Sequence, residues 1–198
     1  HIIRTIVSSR TYQLSGRPNT SNRGDRTNYS HALPRALDAE VLLDAICDLT
    51  GVPEIFTTGV SDASKMNAQA PLGTRAIQLR QPDLFFSRFL DLYGRPNRLT
   101  LPERSGKANL GQALHMLAGS AYQEKVKSPS GRLRKLLESG KPNSETIREI
   151  YLAAFARVPE PSEVSELDRA IAEAENREQA FGDFMWAVLS SREFAENH

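Results

Sequence analysis

Asp38-Ala39-Glu40-Val41-Leu42-Leu43-Asp44-Ala45-Ile46-Cys47-Asp48-Leu49-Thr50-Gly51 is the stretch that decides the fold class. Leu42, Ala45, Ile46 and Leu49 recur at the i, i+3, i+4, i+7 spacing of an amphipathic helix, and Val41 sits beside them. Asp38 stands where a helix wants an N-cap, and Gly51 stands where the chain must leave it. The segment therefore predicts a helix with one face turned to a core.

The same pattern continues in both directions. Upstream, His1–Ser8 puts Ile2, Ile3, Ile6 and Val7 on one face. Downstream, Asp83 is a cap candidate for a helix with Leu84, Phe85, Phe89 and Leu92, closed by Gly94. Asn109 opens another with Leu110, Ala113, Leu114 and Leu117, closed by Gly119. A short helix is expected near Gly131–Ser139, carrying Leu133, Leu136 and Leu137. Ser144 is the cap candidate for Ile147, Ile150, Tyr151, Ala154 and Phe155, and Pro161-Ser162 opens a long polar helix. The last, at about Glu178–Ser190, carries Phe181, Phe184, Met185, Val188 and Leu189. The expected fold is mainly α, an irregular multi-helix domain with two long loops and at most a minor β element. The loops are residues 11–35, rich in Arg, Asn, Ser and Gly, and residues 52–82, punctuated by Pro53, Gly59, Pro71, Gly73 and Pro82. Thr74–Leu79 alternates well enough for one short extended segment. Long loops in compact domains are often functional, so a site is expected where these two meet. Lys141-Pro142-Asn143 is the best boundary. It separates an N-terminal part, residues 1–140, from a C-terminal helical unit, residues 141–198, unless 1–198 is a single domain.

Charge narrows the function classes. The chain has 198 residues, with 25 Lys+Arg against 24 Asp+Glu, a formal net charge of +1. That balance gives no footprint for nucleic acid. Its distribution is uneven, because residues 1–35 hold six Arg and one acid, Asp25. Arginine outnumbers lysine 19 to 6, and its planar fork suits carboxylate, phosphate or sulfate. No run of about 18 apolar residues exists, so no membrane span is expected. Cys47 is the single cysteine and reads as a small core residue. The apolar periodicity is already running at His1, so the chain reads as a fragment of something longer.

Six stretches carry a resemblance. Ser9-Arg10-Thr11-Tyr12-Gln13-Leu14-Ser15 comes first, then Leu33-Pro34-Arg35 with Ala39–Ile46. Gly73-Thr74-Arg75-Ala76-Ile77-Gln78-Leu79 and Gly94-Arg95-Pro96-Asn97-Arg98 follow. Gln112-Ala113-Leu114-His115 and Ser191-Arg192-Glu193-Phe194, with Asn197-His198 at the end, complete the series. In this order they resemble domain of unknown function family 1553, the planctomycete-type PSD-one domain. The resemblance implies a domain that follows another uncharacterised domain, often behind a cytochrome-c-like one, in a periplasmic, secreted or cell-surface protein. Relatives often carry a Cys-x-Cys pair just before Glu103-Arg104-Ser105, whereas Leu99–Pro102 here hold no cysteine. A weaker likeness covers Glu149–Pro159 and Ser190–Phe194, which are similar to small helical repeats of bacterial surface proteins.

Catalytic signatures are sparse. His1, His31, His115 and His198 form no His-x-x-x-His, so no metal site is expected. There is no Gly-x-Ser-x-Gly elbow, no Gly-rich phosphate cradle and no haem-attachment motif, so no cofactor is expected. Glu40 and Asp44, one helical turn apart, read as solvated carboxylates or partners of Arg35 rather than an acid pair. The best remaining signal is the arginines in and beside the loops. Arg10, Arg17, Arg35, Arg75, Arg95, Arg98 and Arg104, with Tyr12, Gln13 and Asn19, are the candidate ligand-binding residues. They have two readings, a convergent site for an anionic ligand or internal staples that satisfy loop carbonyls. The leading functional expectation is a non-catalytic structural or protein-interaction module, whose partner is an upstream domain of the same polypeptide or another protein. The alternatives are a module binding sulfated or uronic glycans, and a hydrolase whose site a missing upstream domain completes.

Overall fold

The computed structural model describes residues 1–13, 18–28, 30–58, 69–79, 84–95, 112 and 120–197. Among these the chain is mainly helical with a minor β element, as the periodicity predicts. Two compact units emerge, His1–Ala36 with Glu196–His198, and Leu37–Ala195.

The first unit contains helix α1 (Ile2–Val7) and an antiparallel pair, β1 (Arg35–Ala36) with β2 (Glu196–Asn197). Between them the chain is held by side-chain-to-backbone bonds rather than by a ladder. Asn19 Oδ1 accepts from the Ser21 and Asn22 amides at 2.9 and 3.1 Å. Asp25 Oδ1 accepts from the Thr27 and Asn28 amides at 3.0 and 2.9 Å. These Asx turns explain how an Asn- and Ser-rich stretch takes a defined course without regular structure.

The second unit is built around α2 (Ala39–Thr50). Leu43, Ile46 and Leu49 are fully buried, and Gly51 ends the helix at φ 70°, where a side chain is strained. Around it pack α3 (Arg88–Leu92), α4 (Ser120–Val126), α5 (Arg132–Glu138) and α6 (Asn143–Phe155). Helices α7 (Pro161–Glu173), α8 (Arg177–Leu189) and α9 (Arg192–Ala195) follow, and α8 contacts α4 to α7 and α9. The shared core takes Ile147 and Ile150 from α6, Phe181, Met185 and Leu189 from α8, Leu90 from α3 and Tyr122 from α4.

Two local expectations need correction, and one helix is added. The helix expected from Asp83 starts instead at Ser87, whose Oγ accepts from the Leu90 amide at 3.3 Å. Leu84 and Phe85 lie outside it, because Phe85 bridges Thr58 and the Phe86 amide donates to the Thr57 carbonyl at 3.1 Å. The extended segment expected at Thr74–Leu79 contains a 3-10 turn at Ala76–Gln78, for a reason given below. Helix α4 adds to the expected elements: among its described side chains Tyr122, Lys125 and Val126 are buried, and the lysine interrupts the apolar stripe. The helix expected from Asn109 falls outside the described residues. No helix among the described residues is long and apolar enough to cross a membrane.

Candidate functional site

A cleft of about 340 Å³ opens beside the C-terminal half of α2. Asp44, Cys47 and Asp48 line it from the helix, Glu54 from the chain after Gly51, and Thr74 and Arg75 from the opposite segment. Asp44 is 6% exposed, contrary to the solvated role expected for it. Its two oxygens accept from the Ala76 amide at 2.7 Å and the Ile77 amide at 3.2 Å. A short 3-10 turn begins with unpaired amides, and Asp44 caps them from another element. This tertiary cap, with Gln78 Oε1 accepting from the Arg75 amide at 3.0 Å, turns an alternating sequence into a turn. Glu40 is buried as well, because α2 is packed by neighbours on several sides.

Arg75 grips Asp48 with both terminal nitrogens, at 3.3 and 2.7 Å, and its Nε lies 3.6 Å from Asp44. On the far side Lys125, 7% exposed, points its ammonium at the Val52 carbonyl (3.1 Å), the Pro53 carbonyl (3.2 Å) and Glu54 (2.9 Å). Arg132 donates to the Leu49 and Asp48 carbonyls at 2.9 and 3.0 Å. Two cations thus satisfy carbonyls in and just beyond the last turn of α2, the end where the helix dipole favours positive charge. Burial pushes the Cys47 thiol up from its ordinary range, only partly offset by Lys125. A raised thiol is a poor nucleophile at neutral pH. Among the described residues, no group of three or more His, Cys, Asp and Glu side chains is arranged to hold a metal.

The sequence candidates fall into both units. Arg10 and Tyr12 are exposed in the turns after α1, and Gln13 Nε2 donates to the Val7 carbonyl at 3.3 Å. Asn19 pins its own loop, as described above. Arg35 sits on β1, opposite Asn197 in register. In the second unit Arg95 Nε bonds Asp91 at 2.7 Å and its NH1 bonds the Phe85 carbonyl at 2.9 Å, with only 8% of its side chain exposed. Of the described candidates, Arg75 alone lines the cleft. Arg17, Arg98 and Arg104 lie outside the described residues, as does His115.

Sequence reasoning missed Lys125, Arg132 and Arg157. Arg157 follows α6 and lies between two carboxylates. It bonds Glu163 at 2.8 and 2.9 Å and Glu193 at 2.6 and 3.1 Å. Its guanidinium also sits over the Tyr151 and Phe155 rings, at 5.1 and 5.5 Å from their centroids. A signal existed for half of this node: Glu163 is the N3 residue of a helix opened by Pro161, and it also accepts from the Glu160 amide at 2.7 Å. The other half, Glu193, lies 36 residues away.

The chain belongs to the family described as protein of unknown function (DUF1553), whose match spans residues 1–171. No curated protein and no solved structure matches it.

Proposed function

We propose that this chain is a non-catalytic structural or protein-interaction module of a larger exported or cell-surface protein, with an upstream domain or a separate protein as its partner. The observation that carries this reading is the internal engagement of the charged groups around the cleft. Asp44 holds two backbone amides, Arg75 holds Asp48, and Lys125 holds two carbonyls and Glu54. Catalytic acids, bases and anion clamps must be free to reach a substrate, and these groups are bonded to the fold instead. The shift of the Cys47 thiol, upward rather than downward, points the same way. The family resemblance supports the exported setting.

A second reading, a module for sulfated or uronic glycans, draws on the first unit. Arg4, Arg10, Arg23 and Arg26 have no carboxylate partner among the described residues. One pair of measurements on the full chain separates the two. In the module reading, Asp44→Asn loses about 1–3 kcal/mol of stability, because a charged acceptor of two amides becomes a neutral one. The wild type then passes through a heparin column at low salt. Retention at low salt that is released at high salt, and lost in Arg10→Ala, would overturn the module reading in favour of glycan binding.

A further inference from the structure

We propose that the apolar face of α1, flanked by Arg4 and Arg10, docks into an apolar groove rimmed by carboxylates on a protein partner. This rests on the module reading and names the chemistry of the module's partner. Ile2, Ile3, Ile6 and Val7 are 74%, 77%, 51% and 41% exposed, and α1 contributes no buried residue. Their spacing gathers them on one side of the helix. Single exposed aliphatics are ordinary on a soluble surface. Four gathered on one short helix form a patch on the order of a few hundred Å², the size of the largest patch on a typical monomer, which is often functional.

The sign of the rim follows from the charges around that patch. Arg4 lies on α1 and Arg10 just beyond it, both exposed. The acid within residues 1–35 is Asp25, and its oxygens accept from the Thr27, Asn28 and Ser30 amides at 3.0, 2.9 and 3.3 Å. The Ser30 hydroxyl first, then the Asn28 and Thr27 amides, hold the Asp25 carboxyl far below its ordinary range. It stays charged but committed to its own loop. Arg4 and Arg10 have no carboxylate partner among the described residues, so a complementary partner brings acids.

Two other occupants fit less well. A second copy would bring the same arginines across a twofold axis, and like charges would face each other. Two six-residue helices would also bury far less than the roughly 1,200 Å² of a stable interface. A lipid surface suits longer amphipathic helices, whereas α1 is about 9 Å long at about 1.5 Å per residue.

The test is fluorescence anisotropy with the full chain and two labelled synthetic helical peptides. One has a leucine face flanked by glutamates, and its twin is flanked by lysines. The glutamate peptide should bind at least about tenfold more tightly, and Ile3→Asp or Ile6→Asp should weaken it by about tenfold or more. Arg4→Glu with Arg10→Glu should erase the preference between the peptides. All four positions are exposed, so melting temperatures should not move; Ile3→Ser replaces the Asp variant if that one melts early. Equal binding of the two peptides, binding to neither, or indifference to Ile3→Asp and Ile6→Asp overturns the proposal. So does a dimer in sedimentation, or adsorption to phosphatidylglycerol vesicles, that is lost in Ile3→Asp. None of these outcomes touches the module reading, which stands or falls on the Asp44 and heparin results.

Discussion

Replacing Arg157 with alanine removes one guanidinium from between two carboxylates and two aromatic rings. Four charge-assisted contacts to Glu163 and Glu193 disappear, together with the stacking on Tyr151 and Phe155. Hydrogen bonds to charged groups contribute about 1.5–3 kcal/mol each when well buried. The three side chains here are 26%, 30% and 35% exposed, so water recovers part of that and the contacts are not additive. A net loss of about 2–4 kcal/mol follows. At about 2–4 °C per kcal/mol for a chain of this size, the melting temperature falls by about 4–16 °C at neutral pH, read by circular dichroism. Arg157→Lys keeps the charge but not the double fork, and should recover less than half. The pH dependence gives a second, independent check. Arg157 holds the Glu163 carboxyl down at about 2, against an ordinary value of 4.5. A lowered carboxylate stabilises above its unfolded value, and that contribution is lost as pH falls through the folded one. The wild-type advantage over Arg157→Ala should therefore shrink between pH 4.5 and about 2. A difference below about 0.5 kcal/mol at neutral pH, or one that does not change with acid, would refute the reasoning.

Two further predictions concern the α2 cleft and its surroundings. A Cβ at Gly131 would lie 3.0 Å from the Ser128 carbonyl oxygen and 3.2 Å from that of Thr50, so Gly131→Ala should cost about 1–3 kcal/mol in urea unfolding. Cys47, with its thiol pushed up by burial, should react with iodoacetamide more slowly than free cysteine at neutral pH. Lys125→Met should slow it further, since the ammonium works against the upward shift; faster labelling of the folded variant would contradict this.

How much was legible depended on the range of the interactions involved. Gly51, Gly131, Pro161 and the i, i+4 pairs are local, so α2, α5, α7 and α8 are readable within a residue or two. Helix α1 is equally readable, but periodicity alone leaves open that its apolar face meets solvent. In the second unit Arg95 reaches the Phe85 carbonyl, whereas Arg75 pairs with the Asp48 carboxylate. Which carbonyl or carboxylate each one reaches was not available.

Sequence by itself determined the helical class, the positions of the strongest helices, the arginine excess near the start and the family. Each is a matter of composition or of neighbours within about one or two turns. Tertiary structure alone decided what Asp44 does, that Ala76–Gln78 turns rather than extends, and that Arg157 joins Glu163 to Glu193. Asp44 meets amides 32 and 33 residues away, and Arg157 meets a carboxylate 36 residues away. A side chain caps whatever amide the packed core brings within 3 Å or so, and that proximity exists only once the helices have docked.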